Sequence, residues 1–208
     1  MNLPEKVINR LTLYHYIIDN YDKAGKPYII SSYLAKLLNI DNSQVRKDFK
    51  FLNTKLGKCR VGYDVKELKK SIEETLGFKQ TKKAFIVGAG NLGTALVKYN
   101  HFKTYGLKIL AMFDNDPIKT DMILNDVEVL HISKLPELAE KTKAEIAILT
   151  VPCEAAQSCA ELLANSGIKY IWNFTPCVLN LPEDIKVWNE NLIGNFLQFT
   201  KDLDTNCK

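Results

Sequence analysis

Long apolar runs are missing from this chain. None approaches the ~20 residues that a bilayer-crossing helix needs, so a membrane-spanning helix is not expected. Met1 to Arg10 has no apolar stretch of the secretory kind. The five cysteines (Cys59, Cys153, Cys159, Cys177 and Cys207) are odd in number and include no Cys-x-x-Cys pair. That pattern argues against a disulfide framework and against a zinc site, and it places the chain in a reducing cytoplasm. Cys59 and Cys153 fall near candidate functional loops, and both are read as ordinary small residues. Histidine is scarce too, with only His15, His101 and His131. The first lies in a basic segment, and the other two read as surface or strand-end residues. The chain is therefore poor in candidates for general acid–base work.

What the chain does have is an uneven charge. Residues 1–83 carry 17 Lys/Arg against 9 Asp/Glu, and residues 84–208 carry 11 against 15. A net +8 thus precedes a net −4, which together give the overall +4. A basic first part points to a polyanionic partner, and the acidic second part has no such need. With 208 residues and 46% apolar content, two packed domains are the simplest account. Their junction falls near Gly77 to Lys83, in the polar stretch Lys79-Gln80-Thr81-Lys82-Lys83. The expected division is residues 1–80, 81–188 and a C-terminal segment 189–208.

Behind the apolar run Ala84-Phe85-Ile86 stands Val87-Gly88-Ala89-Gly90-Asn91-Leu92-Gly93. A strand ending in Gly-x-Gly-x-x-Gly and turning into a helix is a pyrophosphate cradle. Gly88 permits the tight turn, Gly90 lets a dinucleotide approach the backbone, and Gly93 allows close helix–strand packing. The phosphates then face the unpaired N–H groups and positive dipole of a helix N-terminus. Leu107 to Phe113 reads as a second buried strand. It ends in Asp114, 21 residues beyond Gly93, where such a unit places an acid on the adenosine ribose, about 20 residues on. A carboxylate there repels a 2′-phosphate and favours NAD(H) over NADP(H), and Asn115 and Asp116 supply no Arg to reverse this.

In the basic part, Pro4 to Asp22 reads as an amphipathic helix with Val7, Leu11, Tyr14, Ile18 and Tyr21 on one stripe. Ser31-Ser32 is expected to cap a helix from Tyr33 to Leu38. A turn at Asn39 to Asn42 leads to a third helix from Ser43 to Phe51, with Val45, Phe49 and Leu52 facing inward. This is helix-turn-helix spacing, in which the start of the last helix reaches base edges. Ser43, Gln44, Arg46 and Lys47 occupy that start; Gln and Arg can read bases, and Lys47 and Lys50 suit phosphates. Leu56 to Tyr63 reads as a basic β-hairpin wing carrying Lys58, Arg60 and Tyr63, followed by a helix from Val65 to Leu76.

These residues resemble a known family. Arg46-Lys47-Asp48-Phe49, the Gly57-Lys58…Gly62-Tyr63 wing, the Gly88–Gly93 turn, Phe113-Asp114-Asn115-Asp116-Pro117, Leu149-Thr150-Val151-Pro152 and Asn173-Phe174-Thr175-Pro176 are together similar to the Rex redox-sensing transcriptional repressors. The resemblance runs over nearly the whole chain. It implies an α/β protein: an N-terminal winged helix-turn-helix, a C-terminal Rossmann NAD(H)-binding domain with a parallel sheet, and a final domain-swapped helix. It also implies a homodimer bound to palindromic operator DNA with NAD+ and released by NADH. By position it assigns the pyrophosphate to Gly88, Ala89, Gly90, Asn91, Leu92 and Gly93, the ribose to Asp114 and the adenine to Ile118. Thr150, Val151, Pro152, Asn173, Phe174 and Pro176 would lie on the nicotinamide side. Glu190 to Leu203 would be the swapped helix.

The chain departs from the family pattern after the third helix, in the wing and in the switch region. Phe51-Leu52-Asn53 replaces an aromatic-aromatic-glycine turn, and Cys59-Arg60 replaces a basic residue followed by glycine in the wing. In the switch region, Tyr16 and Asn191 stand where the family has an Arg and an Asp that pair, while Tyr99 matches a family Tyr. A hydrogen-bonded Tyr16–Asn191 pair is the expected replacement. Two other readings stand beside the repressor: a divergent paralogue with altered DNA specificity or without NADH gating, and an NAD-dependent oxidoreductase. The last lacks a substrate domain behind the nucleotide fold.

Overall fold

The computed structural model describes residues 3–52, 57 and 61–201. The chain divides into two compact units, Met1–Gln80 and Thr81–Lys208.

In the first unit, α1 (Glu5–Lys23) buries Val7, Leu11, Tyr14 and Ile18, which recur every three or four residues and so share one face. Tyr21 is only half-buried and packs on Tyr33, with ring centroids 5.1 Å apart. Next come β1 (Tyr28–Ile29), α2 (Ser31–Leu38) and α3 (Asn42–Phe49). The expected serine cap on α2 is corrected: Ser31 already lies inside the helix, and the capping position is Ile30, which has no side-chain acceptor. At α3 the cap is Asp41, whose carboxylate accepts from the Ser43 N–H at 2.6 Å. Between α2 and α3 the backbone reverses through left-handed Asn39. Val45 and Phe49 are fully buried and Leu52 nearly so, as the periodicity predicts.

β2 (Tyr63–Asp64) pairs antiparallel with β1, and α4 (Val65–Leu76) follows at the predicted bounds. Asp64 caps α4 by accepting from the Lys66 and Glu67 N–H groups, each at 3.0 Å. Among the described residues, the strand leading out of the predicted wing therefore pairs with the α1–α2 connection. The tip with Lys58, Cys59 and Arg60 lies outside the described residues.

The second unit is a seven-stranded sheet with helices. β3 (Lys82–Val87) leads to α5 (Asn91–Lys98), α6 (His101–Thr104) and β4 (Leu107–Asp114). A hairpin of β5 (Ile123–Leu124) and β6 (Val127–His131) precedes α7 (Leu135–Thr142), β7 (Ile146–Leu149), α8 (Cys153–Asn165) and β8 (Tyr170–Asn173). β9 (Lys186–Asn189) and α9 (Leu192–Thr200) close the chain's described part. The strand order is β5-β6-β4-β3-β7-β8-β9, and every neighbouring pair is parallel except β5 with β6. Parallel strands buried on both faces explain the continuous apolar runs Ala84–Val87 and Ala111–Phe113. After β3 the chain runs outward through β4 and β6, then crosses back to β7 on the other side of β3. The reversal makes a crevice beyond the carboxyl ends of β3 and β7, the place where open α/β sheets hold ligands.

Candidate nucleotide site and nucleic-acid interface

Register brings the site loops together. Val87 pairs with Phe113 on one side and Leu149 on the other, and Leu149 pairs with Asn173. The residues that follow these ends are Gly88, Asp114, Thr150 and Phe174. A cleft of about 790 Å³ opens there, lined by Gly88, Gly90, Asp114, Thr150, Val151 and Pro152. Lys119, Ile132, Ser158 and Cys159 also line it. Ala89, Asn91, Leu92, Gly93, Ile118, Asn173, Phe174 and Pro176 do not line this cleft.

The glycine turn is braced from both neighbouring strands. Gly88 sits at φ +105°, its N–H donates to the Phe113 carbonyl at 2.7 Å, and a Cβ there would press on the Thr150 carbonyl. The Thr150 hydroxyl bridges the Val87 and Gly88 carbonyls at 3.1 and 3.0 Å. A Cβ on Gly93 would overlap the Gly88 carbonyl oxygen, which fixes the close approach of α5 to β3. Gly90 differs: a Cβ there would meet no protein atom within 4 Å. The fold makes no steric demand for glycine at that position, and the space beside its backbone is open. This open cradle at the N-cap of α5 suits a pyrophosphate.

Asp114 is 8% exposed. Its Oδ2 accepts from the Ala89 N–H at 2.7 Å and from the Lys119 ammonium at 3.3 Å, and its Oδ1 accepts from the Asp116 N–H at 2.9 Å. Burial raises the carboxyl's pKa, but the two N–H groups and Lys119 outweigh it and hold the pKa below its ordinary value. Lys119 is a site residue that the sequence pattern around Asp114 does not single out. Its signal was a lysine five residues past the acid, within reach across the Asp-Pro turn. Lys119 also lies 3.7 Å from Asp116.

Asn173, expected on the nicotinamide side, is held by protein groups. It is fully buried; its amide donates to the Cys177 carbonyl and Asn189 Oδ1, and its Oδ1 accepts from the Thr175 N–H and hydroxyl. With those contacts it ties β8 to β9 and shapes the following loop, and it presents no free group to a ligand. Phe174 packs against Trp172 at a tilt of 46°, with ring centroids 4.9 Å apart; Ile118 is 85% exposed and Pro176 is exposed.

In the first unit, Ser43, Arg46, Lys47 and Lys50 are exposed on α3 and the turn after it. Arg46 Nε reaches Ser31 Oγ at 3.5 Å. Gln44 is half-buried, and its amide donates to Asp48 Oδ1 at 2.9 Å, so it is held against its own helix. Tyr63 packs its ring edge-on against Phe49, with centroids 4.9 Å apart. Asp48 is the residue that sequence reading missed as a positioning group. Almost wholly buried, it accepts from Arg10 Nε at 2.6 Å, Arg10 Nη2 at 2.8 Å and the Tyr14 hydroxyl at 2.9 Å. Burial raises its pKa, while Arg10, Gln44 and Tyr14 together hold it below the ordinary value. An acid on α3 thereby pins that helix to α1.

Of the residues that the resemblance assigns to a switch, Tyr16 is 57% and Tyr99 53% exposed. The Asn191 side chain accepts from the Gly194 N–H at 2.8 Å and caps α9. On α9, Leu192, Ile193, Phe196, Leu197 and Phe199 are all exposed and none of its residues is buried. Leu203 lies outside the described residues. Among the described residues no helix is long and apolar enough to cross a membrane.

The chain is similar to known proteins over nearly all of its length. Residues 2–50 match a family described as "Putative DNA-binding protein N-terminus", and residues 79–177 match a "CoA binding domain". A redox-sensing transcriptional repressor Rex of Bacteroides thetaiotaomicron is 36% identical over 98% of this chain and 92% of that protein. The protein of the same name from Desulfitobacterium hafniense is 37% identical over 99% and 97%. Two crystal structures of RSP, a Rex-family repressor, superpose well. The complex with β-NAD+ and operator DNA has a TM-score of 0.88 and 31% identity, covering 99% of this chain and 94% of that one. The complex with β-NADH has a TM-score of 0.85 and 30% identity, covering 99% and 96%. A helix-turn-helix unit, a Rossmann-type crevice and relatives of this closeness lead to one assignment: the chain belongs to the Rex family of redox-sensing transcriptional repressors.

Proposed function

We propose that this protein is a homodimeric repressor that binds palindromic operator DNA and uses NAD(H) as a signal, with NADH releasing it. The observation that carries the nucleotide half is the open cradle at Gly90, set between Asp114 and Thr150–Pro152 at the switch point of the sheet. The turn from Gly88 to Gly93 would hold the pyrophosphate, with Asp114 on the ribose and Val151 and Pro152 beside the nicotinamide. The nicotinamide ring carries a positive charge when oxidised and none when reduced, and a ligand shifts an equilibrium only by its differential affinity for the two states. The DNA half rests on exposed Ser43, Arg46, Lys47 and Lys50. Five exposed apolar side chains on α9 favour a contact with a second copy. A cytoplasmic location accords with a soluble NADH/NAD+ signal.

The test is operator binding titrated against the NADH:NAD+ ratio at fixed salt. Binding that falls as NADH rises is the expected result, and Arg46→Ala should relax specificity at one base position by about 1–3 kcal/mol. The uncharged Tyr16 and Asn191 favour one second reading, a paralogue without gating. Equal operator affinity with NAD+, NADH and no nucleotide would establish it.

The acid at the ribose site predicts a further result. Asp114→Ala should weaken NADH binding about tenfold, or ~1.4 kcal/mol. It should also narrow the preference for NADH over NADPH, because Lys119 is freed from its carboxylate and a 2′-phosphate meets no negative charge. Fluorescence titration with both nucleotides reads this out.

A further inference from the structure

The cleft beyond β3 and β7 holds a carboxylate and an ammonium side by side. Among the described residues that line it, Asp114 is the only acid and Lys119 the only cation. Lys119 Nζ lies 3.3 Å from Asp114 Oδ2, and the lysine side chain remains 38% exposed. Asp116 stands 3.7 Å from the same ammonium. The turn between them is closed: the Ile118 N–H donates to Asp116 Oδ1 and the Lys119 N–H to the Asp116 carbonyl, each at 3.0 Å. Lys119 is thereby set back toward the acid five positions before it.

Asp114 has little acceptor capacity left. An ionised carboxylate offers about four acceptor directions. Oδ2 uses two, on the Ala89 N–H and Lys119, and Oδ1 uses one, on the Asp116 N–H. About one direction remains, on Oδ1. A ribose presents two adjacent hydroxyls, and a carboxylate so occupied accepts from only one of them. The other hydroxyl still has an oxygen that can accept. An ammonium has three donors and no acceptor, and Lys119 spends them only partly on Asp114 and Asp116.

We propose that Lys119 is a second ribose ligand: its ammonium donates to one hydroxyl oxygen of the adenosine ribose while Asp114 accepts from the other hydroxyl. This role rests on the NAD(H) reading above. It also gives Lys119 a part in specificity. Asp114, Lys119 and Asp116 together carry a single net negative charge, and without the lysine they would carry two. A 2′-phosphate is therefore repelled less with Lys119 than without it. Asp114 and Lys119 thus act in opposite directions on the choice between NADH and NADPH.

The test titrates the parent chain and Lys119→Ala with NADH and with two NADH analogues, whose adenosine ribose lacks the 2′- or the 3′-hydroxyl. Lys119→Ala should weaken NADH binding about fivefold, a modest loss because the ammonium is part-exposed. On one analogue that loss should vanish, since the hydroxyl served by the lysine is already gone. On the other it should persist. Lys119→Arg, which keeps the charge and the donors, should recover most of the affinity, and the preference for NADH over NADPH should widen in Lys119→Ala. An equal loss on NADH and both analogues would overturn the assignment, because Lys119 would then act only by holding Asp114 in place. Unchanged or tighter NADH binding would overturn it as well, because the lysine would be a competitor of the ribose for the carboxylate. In either case binding by the parent leaves the nucleotide reading standing. If the parent itself binds no NADH, that reading falls and the role of Lys119 falls with it.

Discussion

Gly90→Val should weaken NADH binding about a hundredfold, a loss of ~2.7 kcal/mol, while leaving the fold nearly as stable as before. The reason is geometric. A Cβ at Gly90 meets no protein atom within 4 Å, and the residue's φ of −79° is one that any side chain adopts. Its cost to the fold is that of a poorer N-cap, about 1 kcal/mol or less. The branched side chain would instead occupy the space where a pyrophosphate approaches the helix N-terminus. Gly93→Ala is the contrasting variant. Its Cβ overlaps the Gly88 carbonyl oxygen, so stability and affinity should fall together. Thermal unfolding beside NADH titration of both variants checks the pair. Equal affinity of Gly90→Val and the parent protein would show that nothing approaches the backbone at that turn.

Asp48→Ala should destabilise the first unit by about 3 kcal/mol, because removing one partner strands the other charge and the buried hydroxyl. Arg10 would lose both its bonds, and the buried Tyr14 hydroxyl and the Gln44 amide one each. For a unit of this size the melting temperature should fall by more than about 10 °C. Operator affinity should fall with it, since α3 would no longer be pinned to α1. The pH dependence has a definite sign. The Asp48 carboxyl titrates lower in the folded state than in the unfolded chain. Its contribution is therefore complete above the ordinary carboxylate range near pH 4 and fades as pH falls through the lower folded value. Asp48→Ala should lose part of that acid-side decline. Calorimetry between pH 3 and pH 7 measures it, and an unchanged profile would remove Asp48 from the account.

Much of the molecule was legible because its signals are local. The stripe on α1, the Val65–Leu76 helix and the glycine turn behind β3 are written within a few residues of the structures they form. The cap of α2 was misread for a related reason. Serine is a common N-cap, but left-handed Asn39 and capping Asp41 set the turn and the start of α3, and Ser31 was left inside the preceding helix.

The residues that hold the sites in place were not legible. Asp48 lies 38 positions from Arg10 and 34 from Tyr14, and only the packing of α1 against α3 makes them partners. Asn173 sits in a motif that points to ligand contact, yet the register of β8 against β9 buries it and uses all its hydrogen-bonding groups.

By itself the sequence determined a basic helix-turn-helix ahead of a glycine-turn nucleotide fold, because backbone propensity and apolar periodicity act over short spans. Tertiary structure alone decided that Asp48 pins α3 to α1 and that Asn173 is buried and tied to Asn189 of β9. Each of those is a pairing between distant positions, settled by how strands register and helices cross.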